Sequence, residues 1–316
     1  MNNNHPFFTV FTPVYNRRNT IHRVWKNLVS QTYKNFEWIV VDDGSTDGVW
    51  DTLLEWKKKA DFPMILIQQE KNMGKHIAWN RALEIATGEL FVPADSDDSF
   101  VPTALERFAF HWTNTIPLRE KHNFSGINVL CKNPNTGEIV GDKYPEDIFV
   151  SNNLDLHFKY KIKGDKWGCI RTDVLRERPF KEVKGAFLPE SWIWFYVARK
   201  YKVLCVNEAL RYYYTDEKNR LSNHSAKDLL RSAEAHYTYL AWHLNNNFDY
   251  ISKYENCVNI FKQFIRLWRF AFLNDKSIKE VIDNFDPFIL KVLSFFSLPP
   301  ASLIYFLTFY KIKKKI

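Results

Sequence analysis

The sequence predicts an α/β protein built on a mostly parallel sheet with helices covering both faces. Three observations carry that expectation. Over the first hundred residues, short apolar runs rich in β-branched and aromatic residues alternate with longer runs of helical periodicity, the rhythm of crossovers between parallel strands. Polar residues cluster where several of the apolar runs stop. The chain of 316 residues is 46% hydrophobic and 16% aromatic, enough to bury a large core.

The elements follow in order. FFTVFTPVY reads as the first strand and NTIHRVWKNLVSQ as its helix; FEWIVVDD leads into TDGVWDTLLEWKKKA, and PMILIQQ into GKHIAWNRALEIAT, before ELFVPAD returns to an extended run. In open parallel sheets, ligands gather beyond the carboxyl ends of the strands. Asn16 and Arg17 follow the first strand, DDGSTD the second and DSDD the fourth, so polar chemistry is concentrated on that edge. Asp42, Asp43, Ser45 and Asp47 also read as a turn and helix start, with Ser45 or Thr46 accepting the N-cap bond.

The sharpest of these features is the run FVPADSDDSF, which places Asp95, Asp97 and Asp98 within four positions. Such a cluster repels itself at neutral pH and needs water or a cation to hold it. A solvated acidic turn satisfies that need, and so does a metal site; the strand-end position favours the second.

TPVYN, VDDGSTD, NMGKHIAWNRALEIATGE and DSDD, in this order and spacing, resemble the nucleotide-sugar-binding half of inverting family 2 glycosyltransferases with the GT-A fold. The resemblance covers roughly the first 115 residues. GDKWGCIRTDVL and LPESWIWFYVARKY are similar to the acceptor-side half of bacterial members that build surface polysaccharides. It implies a GT-A domain over residues 1–225, with a nucleotide-sugar half (1–115) and an acceptor-side half (116–225), followed by a helical C-terminal region (226–316).

The resemblance also implies roles. The donor is a nucleotide sugar, with UDP as carrier, and a divalent metal, Mn²⁺ or Mg²⁺, bridges its diphosphate. A cation there stabilises charge as the diphosphate departs, and a hard cation wants oxygen ligands. Asp95 and Asp97 can face the ribose and the metal, with Asp98 behind or in place of either; which of them touches the metal directly is open from sequence, Asp97 being the first choice and Asp95 the next, and Ser96 between them belongs with the donor contacts. Asp43 matches the position that accepts the pyrimidine N3–H, with Asp42 supporting its loop, while Pro13 and Tyr15 match positions that wall the base and ribose. Gly74 allows close backbone approach; Lys75 and His76 start the next helix, well placed for anionic oxygens, and Asn80 lies one turn on. Family members often carry Arg where this chain has Trp79, with Arg81 two positions beyond, so the diphosphate-binding arginine is not assigned from sequence.

The acceptor half must supply a base, because a sugar hydroxyl is a poor nucleophile until its proton is removed. Glu190 stands after Pro189 at the mouth of a helix carrying Trp192, Trp194, Phe195 and Val197, where the resemblance places an acidic base; a favourable charge on the helix dipole is the plain alternative. Asp165 is the next candidate. RYYYTDEKNRLSNHS is similar to the segment that closes over the donor, where His224 adds a metal ligand or Lys218 and Arg220 meet the diphosphate; a solvated loop reads equally well.

Charge and tail set the partners. Net charge is +8, and residues 252–316 hold eleven Lys or Arg against five Asp or Glu, an excess of six. No nucleic-acid motif accompanies it, so nucleic acid is set aside. Residues 292–310 are uncharged, split by Pro299 and Pro300, and followed by Lys311, Lys313, Lys314 and Lys315, which suggests two short helices on an anionic membrane surface, or helices docked on the protein's own core. The start of the chain lacks a basic leader and an apolar core, so a cytoplasmic enzyme, peripheral at the inner membrane face, is expected, with a glycan or lipid-linked glycan as acceptor. Four dispersed cysteines read as reduced core residues.

Overall fold

Apolar runs buried on both faces become the centre of the sheet. In the computed structural model, which describes residues 7–183, 188–214, 230 and 232–308, all seven residues of β2 (Phe36–Asp42) are buried. β1 (Phe8–Val14) pairs in parallel with β2 and with β4 (Leu90–Pro93), and β3 (Met64–Gln68) extends the sheet beyond β2. Between these strands run α1 (His22–Val29), α2 (Val49–Lys59) and α3 (Lys75–Ile85). On one face Trp25 stacks on Trp56 at 5.2 Å; elsewhere Trp79 packs edge-on to Phe11 at 5.6 Å and Phe180 at 5.8 Å.

The sheet becomes mixed beyond β4. Its order is β3-β2-β1-β4-β8-β6-β9-β5, with β7 on β9. The added strands are β5 (Ser99–Phe100), β6 (Phe124–Lys132), β7 (Ile148–Ser151), β8 (Lys166–Arg171) and β9 (Lys202–Tyr212). β8 runs antiparallel between β4 and β6, whereas β6 and β9 are parallel. Short α-helices here include α4 (Ala104–Phe110), α5 (Thr172–Arg176) and α6 (Ser191–Ala198).

The described chain divides into two units. One holds the residues to Phe180 and from Ile193 to Tyr214; the other holds those between Lys181 and Trp192 and those from 230 onward. The second unit contains α7 (Ala233–Tyr254), α8 (Cys257–Leu273), α9 (Ile278–Asp283) and α10 (Phe288–Thr308). Asn256 caps α8 by accepting from Asn259 N at 2.8 Å, and Ser277 with Glu280 forms a capping box on α9. The buried Trp268 donates its indole N–H to the Ser294 carbonyl at 2.7 Å, tying α10 to α8.

Three local expectations are corrected. Pro299 and Pro300 lie inside one continuous helix rather than between two short ones: proline's fixed φ suits a helix, although each removes one N–H donor from it. Gly48, at φ 79°, is the N-cap of α2, while Asp47 accepts from Val49 N at 3.1 Å; Ser45 Oγ instead accepts from Asn16 N at 2.9 Å. Cys131, Cys169 and Cys205 are buried, but Cys257 opens α8 and is exposed.

Candidate functional site

The carboxyl ends of β1, β2 and β4 are knitted together by short polar contacts. Asn16, held at φ 53°, gives its N–H to Ser45 Oγ and accepts from Thr46 N at 2.9 Å, joining the loop after β1 to the loop after β2. Asp42 accepts from Ser45 N at 3.0 Å and from Gln68 Nε2 at 3.3 Å. Gly44, at φ 73°, sits where a Cβ would lie 2.6 Å from Lys71 Cα, so only glycine lets these loops touch.

Asp43 organises the next loop. One of its oxygens accepts from Gln69 Nε2 at 2.8 Å and Met73 N at 2.7 Å, and the other from Gly74 N at 2.8 Å. Burial raises its pKa against the pull of those N–H donors, and Asp42 adds to the rise. Three of its roughly four acceptor positions are engaged. Gly74, at φ 100°, then opens α3, and Lys75 reaches across to Asp95 Oδ1 at 2.6 Å.

The acidic run is a charge hub. Asp98 N donates to Asp95 O at 3.2 Å, closing a turn in which Ser96 is buried. Arg211, on β9, donates to Asp95 Oδ2 at 3.0 Å and also to Asp98 Oδ2, while Tyr214 N meets Asp98 Oδ1 at 3.3 Å. Burial opposes charge on Asp95, but Lys75 and Arg211 outweigh it and hold its carboxyl below the usual range. Burial pushes Asp98 up to about 6; Arg211 opposes that, and the charges of Asp95 and Asp97 reinforce it. The buried Arg211 guanidinium is held firmly charged by Asp98 and Asp95.

Asp97 stands apart. Its carboxylate lies 3.6 Å from Arg17 Nη2, beyond hydrogen-bond distance, and is 23% exposed. Burial, followed by the nearby Asp95 charge, raises its pKa. Arg23 donates to the Asp97 carbonyl at 2.6 Å and lies over the Tyr214 ring at 3.9 Å. Arg17 was read from sequence as strand-end polarity, whereas Arg23, Arg211 and Tyr214 were not singled out. A strand ending in three aspartates requires cations, and ALRYYY, with one arginine in an alternating strand, was the available signal.

Other sequence candidates are placed as follows. Pro13 lies in β1 opposite Val41, and Tyr15 just beyond it is exposed. His76 is buried, edge-on to Phe180 at 6.3 Å. Asn80 gives both ends of its amide to the backbone of Phe180, at 2.8 and 2.9 Å, so it acts as a clamp on that segment. Trp79 is core, which explains the departure from arginine there, and Arg81 pairs on the surface with Glu84 at 3.5 Å. Glu190 belongs to the other unit, as a half-buried residue before α6; beside it Ser191 Oγ donates to the Tyr239 hydroxyl at 2.8 Å and Trp192 packs on Trp242 at 4.8 Å. His224, Lys218 and Arg220 lie outside the described residues.

Among the described residues, no three His, Cys, Asp or Glu side chains converge as a ready-made metal cage. A hard cation at the acidic run fits Asp97, the carboxylate of the run without a hydrogen-bonded cation on it, with coordination completed by ligand oxygens and water.

Residues 9–117 match the family described as Glycosyl transferase family 2. Over those residues the chain is similar to family 2 glycosyltransferases. The chain is 30% identical over 179 residues to TuaG of Bacillus subtilis, named as a putative teichuronic acid biosynthesis glycosyltransferase, covering 56% of this chain and 66% of that protein. It is 38% identical over 120 residues to WfaP of Escherichia coli, named as a UDP-Glc:alpha-D-GlcNAc-diphosphoundecaprenol beta-1,3-glucosyltransferase, covering 38% of this chain and 45% of that one. The chain thus spans less than two thirds of either relative's length. In fold it is similar to S. aureus TarS 1–349 solved with UDP-GlcNAc, at TM-score 0.56 and 19% identity over 94% of this chain and 91% of that one. It is also similar to the mannosyltransferase PcManGT from Pyrobaculum calidifontis solved with GDP-Man and Mn²⁺, at TM-score 0.54 and 18% identity over 98% and 86% of the two chains. Both likenesses establish the GT-A-like architecture of a mixed sheet with flanking helices.

Proposed function

We propose that this chain is an inverting glycosyltransferase that moves a sugar from a UDP-sugar to a hydroxyl of a lipid-linked glycan during surface polysaccharide synthesis. The observation that carries the reading is the strand-end hub: in a chain similar to family 2 glycosyltransferases, Asp43, Lys75, Asp95, Asp97 and Arg211 gather on the edge where parallel sheets bind ligands. The names of TuaG and WfaP support the polysaccharide and lipid-linked parts of the reading.

Asp43 with Tyr15 and Pro13 receives the base and ribose. Asp97 holds the divalent cation, which when bound neutralises charge on the departing diphosphate. Arg17 and Lys75 flank that diphosphate. Glu190 takes the proton of the acceptor hydroxyl as its oxygen bonds to the anomeric carbon, and the bond from that carbon to the diphosphate oxygen breaks with its electron pair. One in-line displacement inverts the centre. The chain works from the cytoplasmic face as a peripheral membrane protein.

The test is a screen of nucleotide sugars with Mn²⁺, scored for binding, slow hydrolysis and transfer, with and without EDTA. Metal-dependent turnover of a UDP-sugar is expected. Binding without turnover of any donor would leave a sugar-nucleotide-binding module instead.

A further inference from the structure

We infer that the outward face of α10 is a lipid-docking surface that seats the helical unit in the headgroup boundary of an anionic bilayer. This rests on the membrane association proposed above and names the surface that performs it.

The amphipathicity of α10 is reversed. Phe288, Ile289, Phe295, Phe296 and Leu303 are between 51% and 79% exposed, whereas Leu290, Ser294, Ser297 and Ala301 are fully buried. The exposed residues recur at intervals of seven, two turns of helix, so they share one face. The small and hydroxyl side chains point inward, where Ser297 Oγ donates to Ser294 O at 2.8 Å and that same carbonyl receives the Trp268 indole. A water-facing helix shows the opposite pattern. A contiguous stripe of phenylalanine and aliphatic side chains marks an interaction surface.

Charge selects the occupant. From Phe288 to Tyr310 the sequence holds one charged residue, Lys291, and then come Lys311, Lys313, Lys314 and Lys315 without an acidic residue. Anionic headgroups beside acyl chains complement both the apolar stripe and the lysine-rich sequence that follows it. The window Phe288–Tyr305, with mean hydropathy 1.5, is long and apolar enough to cross a membrane. Pro299 and Pro300 argue for lying in the interface, because the carbonyls of Phe295 and Phe296 lose their donors four residues on. Carbonyls without helical donors belong where water reaches them.

The experiment is co-sedimentation of the full chain with vesicles of phosphatidylcholine alone and of phosphatidylcholine with phosphatidylglycerol. Binding to the anionic vesicles is expected, weakened about tenfold or more by Phe295→Asn with Phe296→Asn, the scale of withdrawing two half-inserted rings. Asp283→Asn, on α9, serves as the unaffected control, and thermal melting verifies that each variant is folded. No binding by the wild type, equal binding by the double variant, or a solution dimer that the double variant dissolves would each overturn the inference. Donor hydrolysis is measured on the same samples, so a chain that binds vesicles without turning over any donor keeps this surface while losing the transferase reading.

Discussion

The carboxylate of Asp43 holds the backbone N–H of Gly74 at 2.8 Å, so the end of β2 fixes where α3 begins and where Lys75 starts its reach to Asp95. Replacing Asp43 with Ala leaves the Met73 and Gly74 donors and Gln69 without their acceptor. Hydrogen bonds to a charged group are each worth about 1.5–3 kcal/mol, and a loss on that order is expected in urea denaturation. Nucleotide binding should fall with it, measured by calorimetry with UDP.

Asp97 and Arg211 should separate function from stability. Asp97→Ala removes a carboxylate without a hydrogen-bonded cation, so melting should change little while metal-dependent turnover is lost. Arg211→Ala strands Asp95 and Asp98 in a buried cluster and should cost about 3–5 kcal/mol in denaturant. Full turnover by Asp97→Ala in metal-free buffer would dismiss the metal role.

Glu190→Gln keeps size and hydrogen bonding but cannot accept a proton. Donor affinity should hold while transfer falls by about 10²–10⁴-fold, the usual worth of a positioned general base. Lost donor affinity would make Glu190 a binding residue, and near-normal turnover would move the role to Asp165. NMR of the product should show the anomeric configuration opposite to the donor's.

A fourth prediction concerns acid. Glu208 on β9 receives Arg107 at 2.5 and 2.9 Å and His111 at 3.0 Å; the Arg107 hydrogen bonds lower its pKa, with burial opposing and His111 assisting. A carboxyl depressed in the folded state lends stability that is fully present above its unfolded value, about 4.3, and is lost as pH falls through the folded value. Glu208→Gln should therefore lower stability at neutral pH and flatten the acid limb of a denaturation profile below about pH 4.3.

The first four strands and three helices were legible because each strand is a short buried run and each helix a 3.6-residue pattern. Asp43 and the acidic run stood out because they follow strand ends directly, and Lys75 because it opens a helix after Gly74. Arg211 was not, because it reaches Asp98 from 113 residues further along the chain, on a strand whose last residues read as the start of a loop. The reversed face of α10 was hidden for a related reason: an apolar stretch shows that a helix is apolar all round, and only its neighbours reveal which side they cover. Asn80 was misleading in the opposite sense, since its spacing on α3 suits a ligand while its amide closes on Phe180.

The acidic hub carries its own counter-ions, and this has a kinetic consequence. Lys75 and Arg211 already occupy both oxygens of Asp95, leaving one accessible carboxylate to attract a free divalent ion. A lone carboxylate is a weak trap for a hydrated cation. Metal would therefore arrive together with the nucleotide diphosphate rather than ahead of it, and the free enzyme would pass through the cell's divalent pool largely unloaded. Order of addition becomes a property of the resting protein: titration with metal alone should give little heat, and the same titration after UDP should saturate.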